Sequence, residues 1–497
     1  MYTCTAIIDI GSNSARLVIY QESSKYGFHL ICERKSKVRI AEGAYEAENY
    51  LQPQGIHRAY LALKEFITTT QYYPVNKILC VATSALRDAP NGLEFTAWIK
   101  KELNLDIDII DGQKEALFGA IAAQNLLPVK NGITIDIGGG SSDLALLKDS
   151  KIIATYSLNI GTVRLKELFF DKERPLSEAR AFIKEELKAL PIEFKNNQAI
   201  GIGGTARTLT KGIMKAEAYP FNTIHAFSYK IDEHMEYFKS ISEAKPNLLK
   251  YLHIPKGRFD TIREGTLIWE EILNHISAKK VITSGVGVRE GVFLHHFLKN
   301  DDLQFPKNIN PSIQSILDRF DTHHIDTKKR KDNTTKLFKL LIKEKKIKDK
   351  YLKELLYAIE LSTIGYRFNI YKSFQHAFYV TMQEFNYGVT HKELVLTAMI
   401  LRFGGKELYE KDIYKEYQEL LPKKKTLKYL SFIYSITTTL YDQTALKEFD
   451  FTFKKNELTV IANGSLYLAE EKLKEIERPK GIELTIIDKQ TIPNYNF

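Results

Sequence analysis

The 497-residue chain has only three cysteines, Cys4, Cys32 and Cys80, and they stand far apart. Their spacing fits neither a disulfide framework nor a zinc motif, and reads as reduced core thiols in a cytosolic protein. No apolar run approaches the ~20 residues needed to span a bilayer. The first expected strand begins so near Met1 that no signal peptide fits ahead of it. A cytoplasmic protein without a membrane segment is the expectation. There is no Gly-x-x-x-x-Gly-Lys-Ser/Thr phosphate loop, and the glycines of residues 283–291 miss the Gly-x-Gly-x-x-Gly dinucleotide spacing. The formal net charge is +10, yet no nucleic-acid recognition motif accompanies it. No specific nucleic-acid partner is expected.

What is present supports large cores: 44% of residues are hydrophobic, and the length predicts about three domains. Residues 1–127 read as α/β, with apolar strands at 78–81 and 107–110 between helical stretches at 56–70 and 114–126. Residues 128–300 repeat the theme, with strands near 132–137, 144–147, 152–156, 199–202 and 280–283. Such alternation predicts sheets covered by helices. A polar stretch at 299–311 reads as a linker. From 312 to 445 helical periodicity takes over, and residues 446–497 read as a small α+β segment with a hairpin, a helix and a last strand. Residues 326–354 carry 12 Lys/Arg against 5 Asp/Glu. That stretch is either a solvated helical face or an attractor for a polyanion.

One motif is repeated. Asp9-Ile-Gly-Ser-Asn-Ser14 returns 127 residues later as Asp136-Ile-Gly-Gly-Gly-Ser141, each between two apolar runs. Strand, acid, glycine turn, hydroxyl and strand make a hairpin whose bare tip lets backbone N–H groups approach a phosphate. The acid at the strand end can hold a hard cation that bridges to phosphate oxygens, although a single such acid is as readily a turn cap. The matched pair points to a cleft that grips a phosphate chain from two sides. A third glycine turn, residues 201–205, sets Gly204 and Thr205 at a helix start, which is either an anion site or a capped turn. Glu115 stands near another helix start. With Gly112 as N-cap it would cap that helix; with the helix end facing the cleft it could orient and deprotonate a water. Arg87, just after a strand, suits a phosphate fork or a salt bridge with Asp88.

Eight segments taken together carry a resemblance. They are Ile8-Asp-Ile-Gly-Ser-Asn-Ser14, Val81-Ala-Thr-Ser-Ala-Leu-Arg-Asp-Ala89, Asp111-Gly-Gln-Lys-Glu-Ala116, Ile135-Asp-Ile-Gly-Gly-Gly-Ser-Ser-Asp143, Leu158-Asn-Ile-Gly-Thr-Val-Arg-Leu165, Gly203-Gly-Thr-Ala-Arg207, Ile254-Pro-Lys-Gly-Arg258 and Ser284-Gly-Val-Gly-Val-Arg-Glu-Gly291. In this order they resemble the exopolyphosphatase and guanosine pentaphosphate phosphohydrolase family, within the actin, Hsp70 and sugar kinase superfamily. The resemblance implies two duplicated ribonuclease-H-like domains, cleavage of a terminal phosphoanhydride with Mg2+, and a homodimer. It implies Glu115 as the catalytic residue that activates water, and Asp9, Asp136 and Asp143 near the metal. Ser12, Asn13, Ser14, Gly138, Gly139, Gly140 and Ser141 fall on the phosphate loops, Gly204 and Thr205 on the third turn, and Arg87 on a phosphate-contacting arginine.

Two positions depart from the family pattern. Lys114 replaces the first of two adjacent glutamates, and Asp143 replaces a glutamate that is one methylene longer. The region after 312 resembles, distantly, metal-dependent HD phosphohydrolases, but no His-Asp dipeptide occurs in this chain, and residues 359–365 read Ile-Glu-Leu-Ser-Thr-Ile-Gly. No second metal site is expected, and His323 and His324 are taken as structural. Inorganic polyphosphate is the expected substrate. Its rivals are guanosine pentaphosphate (or tetraphosphate as a ligand), a kinase or ATPase of the same superfamily, and a non-catalytic sensor of polyphosphate or alarmone.

Overall fold

The computed structural model describes residues 3–44, 46–321, 327–344, 346–404, 407–444 and 448–488. The chain divides into two units, Met1–Pro311 and Ser312–Phe497.

The first unit is built on two sheets. Strands β1 (Thr3–Ile10), β2 (Ala15–Glu22), β3 (Phe28–Ser36), β4 (Val75–Ala82) and β5 (Asp108–Ile109) pair in the order β3-β2-β1-β4-β5. The second sheet contains β6 (Gly132–Ile137), β7 (Ser142–Lys148), β8 (Lys151–Leu158), β9 (Gln198–Ile202), β10 (Ser228–Lys230) and β11 (Lys280–Thr283), ordered β10-β11-β9-β6-β7-β8. Read from the other edge, the second sheet runs β8-β7-β6-β9-β11, the same pattern of neighbours as β3-β2-β1-β4-β5. In each sheet the first strand pairs antiparallel with the hairpin strand after it and parallel with the strand that follows a crossover. β1 and β6 are central strands rich in isoleucine and almost entirely buried, as strands covered on both faces must be.

Register fixes the ends of these strands. Asp9 lies opposite Arg16 and Ile10 opposite Ala15 in the first hairpin. Asp136 lies opposite Asp143 and Ile137 opposite Ser142 in the second. Asp9 and Asp136 therefore hold equivalent penultimate positions, and so do Arg16 and Asp143 across from them. Most expected strands and helices are present within a few residues. The strand expected at 107–110 shrinks to the two-residue β5, and β3 and β10 were not foreseen. β3 is the edge strand of its sheet; the run Glu33-Arg34-Lys35 is exposed, and these charges conceal the strand in the sequence.

The second unit is helical, with Thr327–Lys343, Ser373–Glu384, His391–Arg402 and Lys424–Gln443 as its longest helices among the described residues. It ends in a three-stranded sheet of β12 (Asp450–Lys454), β13 (Glu457–Ala462) and β14 (Glu483–Asp488). The helix Tyr467–Glu475 provides the crossover that parallel pairing of β13 with β14 requires. Beside the 359–365 segment lies a buried cation. Arg330, 2% exposed, donates to Ser362 Oγ at 3.0 Å and to Asp442 Oδ1 at 2.9 Å. His323 and His324 lie outside the described residues.

Candidate functional site

The two hairpin tips are closed in the same way: Gly11 N–H donates to the Ser14 carbonyl at 3.1 Å, and Gly138 N–H to the Ser141 carbonyl at 2.9 Å. Residues of both tips line one pocket of about 190 Å3. Asp9, Ser12, Asn13, Ser14, Glu115, Asp136, Gly138, Gly139 and Gly204 all line it. The bare backbone at the tips is required by contact. A Cβ at Gly139 would lie 2.6 Å from Ser12 Cβ, and one at Gly203, whose φ is +77°, would lie 2.0 Å from Asp136 Oδ1.

Other expected residues stand behind this wall. Gly140 gives its carbonyl to Arg164 Nε at 3.1 Å. Ser141 Oγ and Ser157 Oγ donate to Asp143 at 3.3 and 2.5 Å. Asp143 is 3% exposed and does not line the pocket; opposite Asp136 across the hairpin, it acts on the site through its charge. Thr205 is also behind the wall, with a buried hydroxyl that has no hydrogen-bond partner among the described residues.

Glu115 does not cap its helix. The N-cap of Gly112–Leu126 is Asp111, whose carboxylate accepts from Lys114 N–H at 2.7 Å, so Glu115 is the fourth helical residue. Its carboxylate lines the pocket and accepts from Arg87 Nη1 at 3.4 Å. Arg87 also donates to the Ile110 carbonyl at 3.0 Å and lies 3.6 Å from Asp88, and it too stands behind the pocket wall. Lys114 turns away from the pocket and pairs with Asp108 at 2.7 Å.

Six cationic side chains line the pocket: Arg16, Lys35, Lys37, Arg207, Arg258 and Arg289. Three carboxylates, Asp9, Asp136 and Glu115, face them. Such a surplus of positive charge in a partly enclosed pocket concentrates anions. None of the six was assigned a role from sequence, although Arg207, Arg258 and Arg289 lie inside the family-like segments. Arg16 faces Asp9 across the first hairpin; Lys35 and Lys37 come from the unforeseen edge strand and the loop after it. Arg207 is anchored by donating to the Gly203 carbonyl at 2.9 Å and the Gly285 carbonyl at 2.8 Å. Arg289 lies 3.7 Å from Asp9.

The carboxylates are strained electrostatically. Burial pushes the pKa of Asp9 up against the pull of Arg289 and Arg16, and that of Asp136 up against the pull of Arg207. Burial first, then the charge of Asp143, holds Glu115 well above the usual carboxylate range, with Arg87 opposing. Asp143 itself is raised to about 7, mainly by burial. Among the described residues no group of three or more His, Cys, Asp or Glu forms a metal cluster. Magnesium does not require one, because it is held through one or two carboxylates, waters and substrate phosphates. Asp9 and Asp136, at matched strand ends on the pocket wall, fit that role; Asp143 stands behind that wall.

Two α/β sheets with the same pattern of neighbours, and a cation-lined pocket shared by two acid-glycine hairpins, suit a phosphate-handling protein. The family model described as the Ppx/GppA phosphatase family matches residues 18–300, more than half the chain, and the chain belongs to that family. It is 32% identical over 302 residues to a bifunctional 3-dehydroquinate synthase/phosphatase from Fusobacterium nucleatum, across 56% of this chain but only 44% of that relative. It is 27% identical over 293 residues to exopolyphosphatase 2 of Mycobacterium tuberculosis, covering 55% of this chain and 91% of the relative. A guanosine-5′-triphosphate,3′-diphosphate pyrophosphatase of Aeromonas hydrophila matches at 27% over 387 residues, or 76% and 75% of the two chains. The crystal structure of the Aquifex aeolicus Ppx/GppA family member superposes with a TM-score of 0.52 at 27% identity, over 61% of this chain and 99% of that one. Among the described residues no helix is long and apolar enough to cross a membrane.

Proposed function

We propose that the protein is a phosphoanhydride hydrolase that releases terminal orthophosphate from inorganic polyphosphate. The observation that carries this reading is Glu115: a largely buried carboxylate, its side chain 12% exposed, with a raised pKa, opening into a pocket lined by both hairpins and six cations. The end of the polyanion enters this pocket. Arg207, Arg258 and Arg289 hold its phosphoryl oxygens, and the glycine tips allow it to approach closely. Arg87 orients Glu115, which takes the proton from a water in line with the terminal phosphorus. Asp9 and Asp136 would hold Mg2+, which when bound offsets the charge that builds on the phosphoryl oxygens.

The neighbour pattern shared by the two sheets supports reading them as duplicated ribonuclease-H-like halves. The helical unit is read as a degenerate HD-like region. A cytoplasmic homodimer follows from the family reading. A second substrate, guanosine pentaphosphate, is favoured by one observation: the match to the Aeromonas hydrophila relative is the longest of those above, at 76% of this chain. Phosphate release from long-chain polyphosphate and from guanosine pentaphosphate, with magnesium and with excess chelator, tests the proposal. Release that needs the metal supports it, and the faster substrate assigns the branch. Tight binding with no release from either would make the protein a sensor.

A further inference from the structure

Lys114 is one of the two departures from the family pattern, and its position gives it a different use. It lies on the rim of a second pocket, of about 290 Å3, lined by Leu79, Cys80, Val81, Asp108, Lys114, Phe118, Val292, His295, His296 and Lys299. The floor is apolar: Cys80, Phe118 and Val292 are 4%, 4% and 5% exposed. The rim is basic, with Lys114, His295, His296 and Lys299 against the single acid Asp108. Lys77 adds to the field: burial first, then the charges of Lys77 and Lys299, lower the pKa of His296. His295 packs edge-on against Phe118 at 5.5 Å between ring centroids, and Lys114 Nζ lies 5.9 Å from the same ring. An apolar floor under a basic rim suits an anion that carries an apolar body.

The same two helices also form part of the first pocket. Gly112–Leu126 places Glu115 in the phosphate pocket and its neighbour Lys114 in the second. Val288–Phe297 contributes Val288 and Arg289 to the phosphate pocket at one end and His295 and His296 to the second at the other. The helices touch backbone to backbone between the two pockets, where a Cβ at Gly291 would lie 1.9 Å from the Phe118 carbonyl oxygen. A contact without slack transmits small shifts instead of absorbing them.

We propose that this second pocket is a regulatory site for a small phosphorylated anion, gripped by Lys114, His296 and Lys299 over Phe118 and Val292, and coupled to Glu115 and Arg289 through the two shared helices. An incoming phosphate shares Lys114 with Asp108, finds Lys299 without an acid partner among the described residues, and meets His296, kept neutral by its lowered pKa, as a hydrogen-bond donor.

The test titrates inorganic phosphate and adenosine 5′-monophosphate calorimetrically into three full-length proteins: wild type, His296→Gln/Lys299→Glu, and the phosphate-pocket variant Arg207→Ala/Arg289→Ala. Melting temperatures confirm that each is folded. The expected result is binding that weakens roughly tenfold or more in His296→Gln/Lys299→Glu and survives in Arg207→Ala/Arg289→Ala. Tighter binding of the nucleotide than of phosphate reports the apolar floor; equal affinities report a site for the phosphate group alone. In turnover, a saturating anion should change the wild-type rate and leave the His296→Gln/Lys299→Glu rate unchanged. No binding, or binding lost only in the phosphate-pocket variant, overturns the site. Binding at the second pocket with no change in rate overturns the coupling. The binding arm needs no turnover, so it stands or falls apart from the hydrolase reading.

Discussion

Gly139 and Ser12 meet at the tips of the two hairpins, so close that a single Cβ at 139 would lie 2.6 Å from Ser12 Cβ and 3.0 Å from its Oγ. Ser12 is itself held from the other side, with its Oγ 3.1 Å from Ser84 Oγ. The pocket is thus a joint between two sheets, whose tips touch at this point only because residue 139 lacks a side chain.

Gly139→Ala should therefore push the tips apart or displace Ser12 without unfolding the chain, because the change sits at a pocket edge. The expected outcome is a loss of kcat/KM of about tenfold or more, consistent with the sensitivity of phosphoryl transfer to ångström-scale misplacement. Steady-state kinetics alongside a thermal melt checks it; unchanged kinetics would mean that the tips do not grip the substrate.

The raised carboxylates predict a pH profile. Glu115 must be ionised to accept a proton, and its pKa is raised, so activity should fall as pH drops through that raised value. Asp143 and Glu115 titrate as an interacting pair, and the limb reports the pair. Asp143→Asn removes the charge that helps raise Glu115, so the acid limb should move to lower pH. The stability effect follows from the same shift. A carboxyl raised from 3.8 to about 7 binds its proton more tightly folded than unfolded. Wild type therefore loses stability as pH rises from near 4 to near 7, and Asp143→Asn should be the more stable of the two at pH 8 but not at pH 4. Denaturant melts at the two pH values measure this.

The hairpins and the family-like segments were legible because their chemistry is local: an acid, glycines and a hydroxyl in one turn. Glu115 could be found but not decided from sequence, since whether Gly112 or Asp111 caps the helix changes its place in the first turn. The pocket cations were not legible. Arg207, Arg258 and Arg289 come from three separate segments, and only folding brings them around Asp9 and Asp136. Asp143 was placed with the metal by analogy, whereas its register position opposite Asp136 and its bonds to Ser141 and Ser157 set it behind the wall.

Arg207→Ala and Arg289→Ala should each raise KM for a polyphosphate substrate more than they lower kcat, if these side chains grip phosphate in the ground state and the transition state alike. A further signature is a weaker salt dependence of binding in each variant, because one cation fewer meets the polyanion. A pure kcat effect with unaltered KM would assign them to the transition state alone.

In the helical unit, Arg330→Ala removes a 2%-exposed cation and leaves Asp442 with the Tyr366 hydroxyl at 3.0 Å as its remaining partner here. Arg330 is buried but the Asp442 side chain is 27% exposed, so breaking the pair should cost about 2 kcal/mol, between the exposed and the fully buried cases. Urea denaturation of the full chain reads the loss. A difference below about 1 kcal/mol would show that the pair behaves as an exposed one.

The most direct test of the hydrolase account is Glu115→Gln, which keeps the shape and removes the base. Phosphate release with magnesium from whichever substrate wild type cleaves faster should fall on the order of 100- to 10,000-fold, with substrate affinity retained. Release at the wild-type rate would contradict the assignment of Glu115 as the group that activates water.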